Sequence, residues 1–260
     1  MKTMKQIFVW SVVILFGMTQ SLAAQEMSGR EIVKEAYNRP EGDDQESNLK
    51  MTLINSRGDT RVRDIRQFMK DMDEVEKSIM FFKSPADVAG TSFMNWTYDD
   101  DQNDDQWIYL PTLSKVKRIS SESKSDYFMG SDFTYDDLGD RKLDEDEHEL
   151  QREEEINGKS CYVVESVPVD PDYMYSKTVT WIEKDTYIGV KKEFYDEEGE
   201  HLKTLTVKKY EDISGFDIIT HSEMHNVQKD HTTKMELTEV EVNTGLDEGM
   251  FTERMMMRGI

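Results

Sequence analysis

Few residues in this chain have the types and spacing that chemistry demands. The densest set of oxygen ligands is the run Asp99–Asp105. Asp101, Asn103 and Asp105 are spaced like the first three ligands of a calcium loop. However, Gln106 stands where the sharp-turn glycine belongs, and Thr112 where the bidentate glutamate belongs. A solvated hairpin tip is the preferred reading, with weak calcium binding left open. His221 and His225 have the four-residue spacing of a helical zinc pair, but they fall in a strand pattern. A strand sets them about 13 Å apart, too far to share an ion. Cys161 is the single cysteine, so the chain forms no internal disulfide. Its neighbours Ser160, Tyr162 and Val163 read as a strand in which it packs as a small hydrophobe. Gly158-Lys159-Ser160 lacks the upstream glycine of a phosphate loop, and no Gly-x-Ser-x-Gly elbow is present. No catalytic set, metal site or cofactor motif emerges, which directs attention to binding.

The apolar residues are more suggestive. Of the 17 methionines, Met51, Met80, Met94, Met129 and Met235 are placed to line an adaptable surface, because the side chain is flexible and polarizable. Phe93, Trp96, Trp107, Tyr109, Tyr127, Phe128, Phe133, Tyr135 and Trp181 crowd the middle of the chain. Together with Leu49, Met51, Leu53 and Phe81 they are the candidate lining of a hydrophobic cavity. The segment Tyr127–Tyr135 contains Gly130 and is the candidate lid. For each of these residues, ordinary core packing is the competing explanation.

The elements that must position them are mostly strands. Ser28 and Glu31 form a capping box ahead of Ile32, Val33, Ala36 and Tyr37, which share one helical face before Pro40. Leu49, Met51 and Leu53 alternate with polar residues, and strands follow at Thr60–Lys70, Ser78–Lys83 and Thr91–Tyr98. An aromatic strand at Trp107, a break at Pro111 and a basic-apolar strand come next. Asn157-Gly158 marks a tight hairpin between Glu149–Ile156 and Lys159–Val167. Ser176–Lys184, Thr186–Tyr195, His201–Tyr210, Asp217–Gln228 and Thr233–Val242 complete the series, and Asp247–Ile260 ends in a short helix. The expected fold is mainly β: a single strongly curved antiparallel sheet of about ten or eleven strands. It forms an incomplete barrel, with the N-terminal helix and short helices or loops covering its concave face. Apolar content of 37% is low for a densely filled closed barrel.

Residues 1–24 read as a signal peptide, with Lys2 and Lys5 before the apolar run Ile7–Met18 and small residues near Ala23 and Ala24. That run is too short to span a bilayer comfortably, so the protein is not read as an integral membrane protein. Residues 25–260 form the expected single binding domain, exported to the periplasm. The formal charge is −22; without the two lysines of the leader it is −24. Such a field excludes nucleic acid as a partner and repels anionic surfaces at long range.

Several motifs together resemble the bacterial outer-membrane lipoprotein-sorting-like family of LolA/LolB-like carriers. They are Trp107-Ile-Tyr-Leu110-Pro111 with Arg118, and Phe128-Met-Gly130-Ser131-Asp132-Phe133 followed by Tyr135-Asp-Asp-Leu138. Weaker likenesses lie at Phe82–Pro85, Gly90–Phe93, Trp181-Ile182 and Lys191–Phe194. The resemblance implies a half-barrel around a cavity for lipid or lipoprotein acyl chains. It also implies transfer within the cell envelope and, for some members, association with an exporter of the resistance-nodulation-division type. An envelope sensor that recognises a lipidated ligand and a protein partner is the alternative; the resemblance implies no enzyme activity. On this reading, replacing Trp107 or Phe133 by aspartate abolishes binding of a fluorescent acyl probe.

Overall fold

The computed structural model describes residues 27–99 and 102–260. The expected leader lies outside the described residues, as do Asp100 and Asp101 of the acidic run. The first element, α1 (Gly29–Tyr37), starts with the expected box: Ser28 Oγ accepts from the Glu31 amide, and the Ser28 amide donates to the Glu31 carboxylate at 2.8 Å. Ile32 on its buried face packs against Val164 and Ile182. Gly29 is required there, because a Cβ would lie only 2.6 Å from the Leu150 amide nitrogen.

The strands form one antiparallel sheet of thirteen among the described residues. The first six are β1 (Asp44–Ile54), β2 (Thr60–Asp71), β3 (Val75–Ser84), β4 (Ser92–Tyr98), β5 (Asp105–Leu110) and β6 (Lys115–Arg118). The remaining seven are β7 (Asp146–Ile156), β8 (Lys159–Pro168), β9 (Lys177–Glu183), β10 (Gly189–Tyr195), β11 (His201–Ile213), β12 (Phe216–Asn226) and β13 (His231–Val242). Thirteen strands stand where about ten or eleven were expected. Asn157 and Gly158, at φ of 53° and 81°, make the tight turn their types demand. The order runs β6-β5-β4-β3-β2-β1-β13-β12-β11-β10-β9-β8-β7, so β1 and β13 join two meanders and the sheet does not close.

This order has one large consequence. β6 and β7 are consecutive in the chain but lie on opposite edges of the sheet. Twelve strand spacings of about 4.8 Å separate them along the sheet. The chain between them, residues 119–145, must therefore cross a face. It touches Asn95 and Gln106 on the first meander and Lys203, Asn226 and Thr233 on the second. One segment reaches both halves because the sheet is bent around it.

Side chains alternate accordingly. The inner face carries Leu49, Met51, Leu53, Ile65, Phe82 and Phe93, with Phe194 and Met224 on the second half. The outer face of the first half carries Phe68, Ile79, Phe81 and Met94, covered by Phe251 and Met256 beside and within α2 (Glu253–Arg258). The outer face of the second half buries Cys161, Val163, Val179 and Trp181, and burial pushes the Cys161 thiol up.

The tail leading to α2 is tied to the sheet by one carboxylate. Asp44, buried at the start of β1, accepts from the amides of Thr244, Gly245 and Leu246 at 2.7–2.9 Å. Burial alone would raise its pKa, but these donors and the Thr244 hydroxyl hold it below the usual carboxylate range. A depressed pKa gives stability that is complete above about 3.8 and is lost as pH falls through the folded value. Asp44→Ala is expected to cost about 1–3 kcal/mol in urea unfolding at pH 7. The gap to the parent protein should narrow below pH 4.

Candidate ligand-binding interior

The crossing segment folds back on itself inside the bend. Tyr127 and Thr134 form an isolated antiparallel bridge, and the Phe128 amide donates to Phe133 O at 2.7 Å. Met129 and Gly130 take left-handed conformations (φ 49° and 74°), which turns the chain tightly between the two phenylalanines. The two rings then point into different halves. Phe128, fully buried, has ring centroids 5.0 Å from Phe93, 5.6 Å from Tyr135 and 6.0 Å from Phe82. Phe133 packs with Tyr175, Phe194 and Met224.

Polar residues of the same segment hold it down. The Asp132 carboxylate accepts from Thr233 Oγ1 at 2.7 Å and lies 2.7 Å from His231 Nδ1, while its amide donates to Thr233 Oγ1 at 2.9 Å. Lys203 is completely buried. Its ammonium donates to Asp132 O at 3.0 Å and is ion-paired with Asp137. Asp137 also accepts from Tyr175 OH at 3.0 Å and from the Thr134 amide at 2.6 Å. Tyr173 donates to Asp136, and Asn226 donates to Tyr127 OH at 3.1 Å. Burial, then the adjacent carboxylates, raise the pKa of Tyr173 and Tyr175, so both stay hydrogen-bond donors. Each half of the sheet thus contributes apolar contacts, and β11 to β13 contribute the latch.

Space remains beside the segment. A cavity of about 240 Å³ is lined by Phe133, Tyr173, Tyr175, Phe194, Leu205 and Met224, with Asp136, Asp137, Asp140, Arg141 and Lys192 on its polar side. Burial lowers the Lys192 ammonium pKa. A more open chamber of about 550 Å³ lies at the end of α1, between Tyr37, Glu41, Glu76, Asp99, Asp140 and Phe216. Its wall is acidic. Burial, reinforced by Asp140 and Glu41, pushes Glu76 up to about 8, and burial pushes nearby Asp104 up to about 6. Among the described residues, no group of three or more His, Cys, Asp or Glu side chains is placed to hold a metal ion. The expected hollow is therefore largely occupied over the first half by the chain's own rings, and its remaining space has an acidic side.

The pleat divides the sequence candidates. Leu49, Met51, Leu53 and Phe93 lie on the inner wall, where Phe128, Met129, Tyr135 and Leu138 meet them from the crossing segment, while Phe133 and Tyr127 meet the second half. Phe81, Trp96, Trp107 and Tyr109 lie on the outer face beneath the tail, where Arg118 pairs with Asp105. Trp181 lies on the outer face of the second half, with Lys191 4.1 Å from its ring centroid. One cavity cannot take all fourteen. Leu110 and Pro111 sit at an end of the sheet, and Gly130, Ser131 and Asp132 shape and latch the segment. Sequence reasoning missed Lys203, Asp137, Tyr173, Tyr175, Thr233 and His231. The signal for Lys203 was a lysine in register with Leu205 and Val207, where alternation requires an apolar side chain.

A crystal structure of an outer membrane lipoprotein-sorting protein domain from Vibrio parahaemolyticus is 35% identical to this chain. The match covers 88% of this chain and 98% of that one, with a TM-score of 0.83. This chain belongs to the outer-membrane lipoprotein-sorting-like family. A family model described as "Uncharacterized protein" matches residues 74–258 of this family member. A DUF1329 family protein from Desulfovibrio piger is 29% identical, with 88% and 97% covered and a TM-score of 0.83. A LolA superfamily protein from Nitrosomonas europaea, 19% identical over 88% and 99% with a TM-score of 0.68, shares the fold of the lipoprotein-sorting-like chain. No curated protein matches it.

Two outcomes test the interior's electrostatics. Lys203→Met strands Asp137 in a dry site, so it should cost about 3–5 kcal/mol in chemical denaturation. Glu76 behaves oppositely to Asp44: its raised pKa means the folded state holds a proton that the unfolded chain releases. The penalty is absent below about pH 4.5 and grows as pH rises towards 8. Glu76→Gln should therefore raise the melting temperature at pH 8.5 and leave it unchanged at pH 4, as measured by circular dichroism.

Proposed function

We propose that this protein is an exported periplasmic carrier that takes the acyl chain of a lipid or lipoprotein into its bent sheet and passes it on within the cell envelope. The supporting observation is that an apolar wall is closed by a segment of short 3-10 turns and loop, not by a strand or α-helix, and that this segment's two phenylalanines stand where a guest would lie. The 240 Å³ cavity is below the usual size of a small-molecule site. A chain of useful length therefore enters only if Phe128 and Phe133 leave. Exposing two such rings costs roughly 3–6 kcal/mol, and each buried methylene returns about 0.8 kcal/mol. About four to eight methylenes break even before the latch is counted. Short chains are rejected and long ones accepted, which gives a carrier selectivity for membrane-length acyl groups. An exporter of the resistance-nodulation-division type is the partner that the family resemblance suggests for loading or delivery.

The relatives support the lipid-binding reading, because the Vibrio parahaemolyticus structure is of a lipoprotein-sorting domain. No motif in this chain favours turnover of the bound ligand over its carriage.

Acyl probes of six, ten and sixteen carbons, titrated by fluorescence, test the reading. Affinity should rise steeply between the shortest and longest. Met51→Asp, on the inner wall that the guest would meet, should abolish binding, and Trp107→Asp, on the outer face, should leave it within a factor of about three. Equal affinity for all lengths, or protein that stays empty by native mass spectrometry with no probe bound, contradicts the carrier.

A further inference from the structure

One end of the sheet carries chemistry that the interior does not use. The pairings Ile54–Thr60, Asp64–Ser84, Ser92–Tyr109 and Leu110–Lys115 bring the β1–β2, β3–β4 and β5–β6 turns to the same end. The tail arrives there too: Lys83 Nζ donates to Ile260 O at 3.2 Å, and Ser92 Oγ to Met256 O at 3.0 Å. Of eight large apolar side chains exposed among the described residues, four stand on this end. They are Val62, Leu113, Met257 and Ile260, and Leu113, at the tip of the β5–β6 turn, is 64% exposed.

Cations surround them. Arg61, Lys83, Lys115, Lys117 and Arg258 are all exposed, and none is ion-paired with a described carboxylate side chain. The acids on these turns and the tail are fewer, although the pairings Ile54–Thr232, Lys203–Asn226 and Tyr195–His201 place the β10–β11 turn at the same end, three strands beyond β1. Asp59 is taken by Arg57 and Asp64 accepts from Ser84 Oγ, which leaves Asp87 and, in α2, Glu253. The chain as a whole carries −22. A local excess of positive charge on so acidic a body is opposite to what its composition leads one to expect. Across the bend, the β10–β11 turn is acidic, with Asp196, Glu197, Glu198 and Glu200.

We propose that the β1–β6 end is a docking surface for an anionic lipid bilayer. Lysine and arginine near such a surface are attracted to it, and adjacent apolar side chains enter the headgroup boundary. The four apolar side chains stand on separate turns and the tail. A fluid interface accommodates scattered protrusions, whereas a folded partner needs a matching hollow for each. The negative remainder of the molecule is repelled, but only within a Debye length of about 8 Å at physiological salt. The acidic β10–β11 turn stands at the same end of the other half, so the repulsion tilts the β1–β6 half towards the surface and keeps contact reversible. Leu53 and Val88, at this same end, belong to the apolar inner cluster, so a docked protein presents that cluster's end to the lipid. The proposal stands on charge and exposure and needs no acyl ligand in the interior.

Flotation of the full protein with vesicles of phosphatidylglycerol and phosphatidylcholine (1:1) tests it, against pure phosphatidylcholine, at 50 and 500 mM NaCl. Binding is expected to the anionic vesicles at low salt and at least tenfold weaker in high salt or without phosphatidylglycerol. The double variant Lys115→Glu/Lys117→Glu and the single variant Leu113→Asp should each lose binding about tenfold. Glu197→Gln should retain it, and unchanged melting curves report intact folding of these exposed variants. No binding to anionic vesicles, equal binding to neutral ones, or full binding by both loss variants overturns the proposal. So does retention on immobilised polyglutamate without vesicle binding, which assigns the surface to an acidic polypeptide.

Discussion

A chain that leaves a sheet at one edge and re-enters it at the other has to cross a face, and in this protein that crossing fills the interior. Residues 119–145 connect β6 to β7 across all thirteen strands. Because the sheet bends around them, the crossing segment sees apolar walls on both sides. Phe128 and Phe133 satisfy those walls, and the buried Lys203–Asp137 pair with the Asp132–Thr233–His231 contacts holds the segment in register. The free energy of this arrangement is divided. The apolar part is non-directional and would be equally satisfied by any greasy occupant. The polar part is specific to the segment, since a half-satisfied buried network costs more than none. A guest can replace the rings but not the latch.

That division gives a physical picture of a carrier without a permanently open pocket. An empty apolar cleft exposed to water is a liability for any protein, and the crossing segment covers it. In the proposed carrier, loading exchanges two phenylalanines for an acyl chain, with the net gain set by chain length. The acidic chamber by α1 offers nothing to hydrocarbon, and its raised carboxyl pKa values reflect burial of like charges.

Much of this architecture was legible in the residues. The capping box at Ser28 and Glu31, the Asn157-Gly158 turn and the strand alternation all appear as read, because each depends on local chemistry. The segment Tyr127–Tyr135 was identified as a unit for its aromatics and glycine. Three things were not legible. Strand order was one: nothing local in Lys115–Arg118 or Asp146–Ile156 says that these are the two edges. Sidedness was another, since Trp107 and Phe93 look alike until the pleat assigns them to opposite faces. The third was the latch, whose members Lys203, Thr233 and Asp137 lie far apart in sequence and meet only through the bend.

Amide hydrogen exchange on residues 127–138, with and without a saturating sixteen-carbon fatty acid, tests the central claim most directly. The account predicts that exchange in this segment accelerates when the chain binds, while the β1–β3 amides stay protected. Bound fatty acid with unchanged or slower exchange at 127–138 would mean that the rings never leave, and the exchange of plug for guest would be wrong.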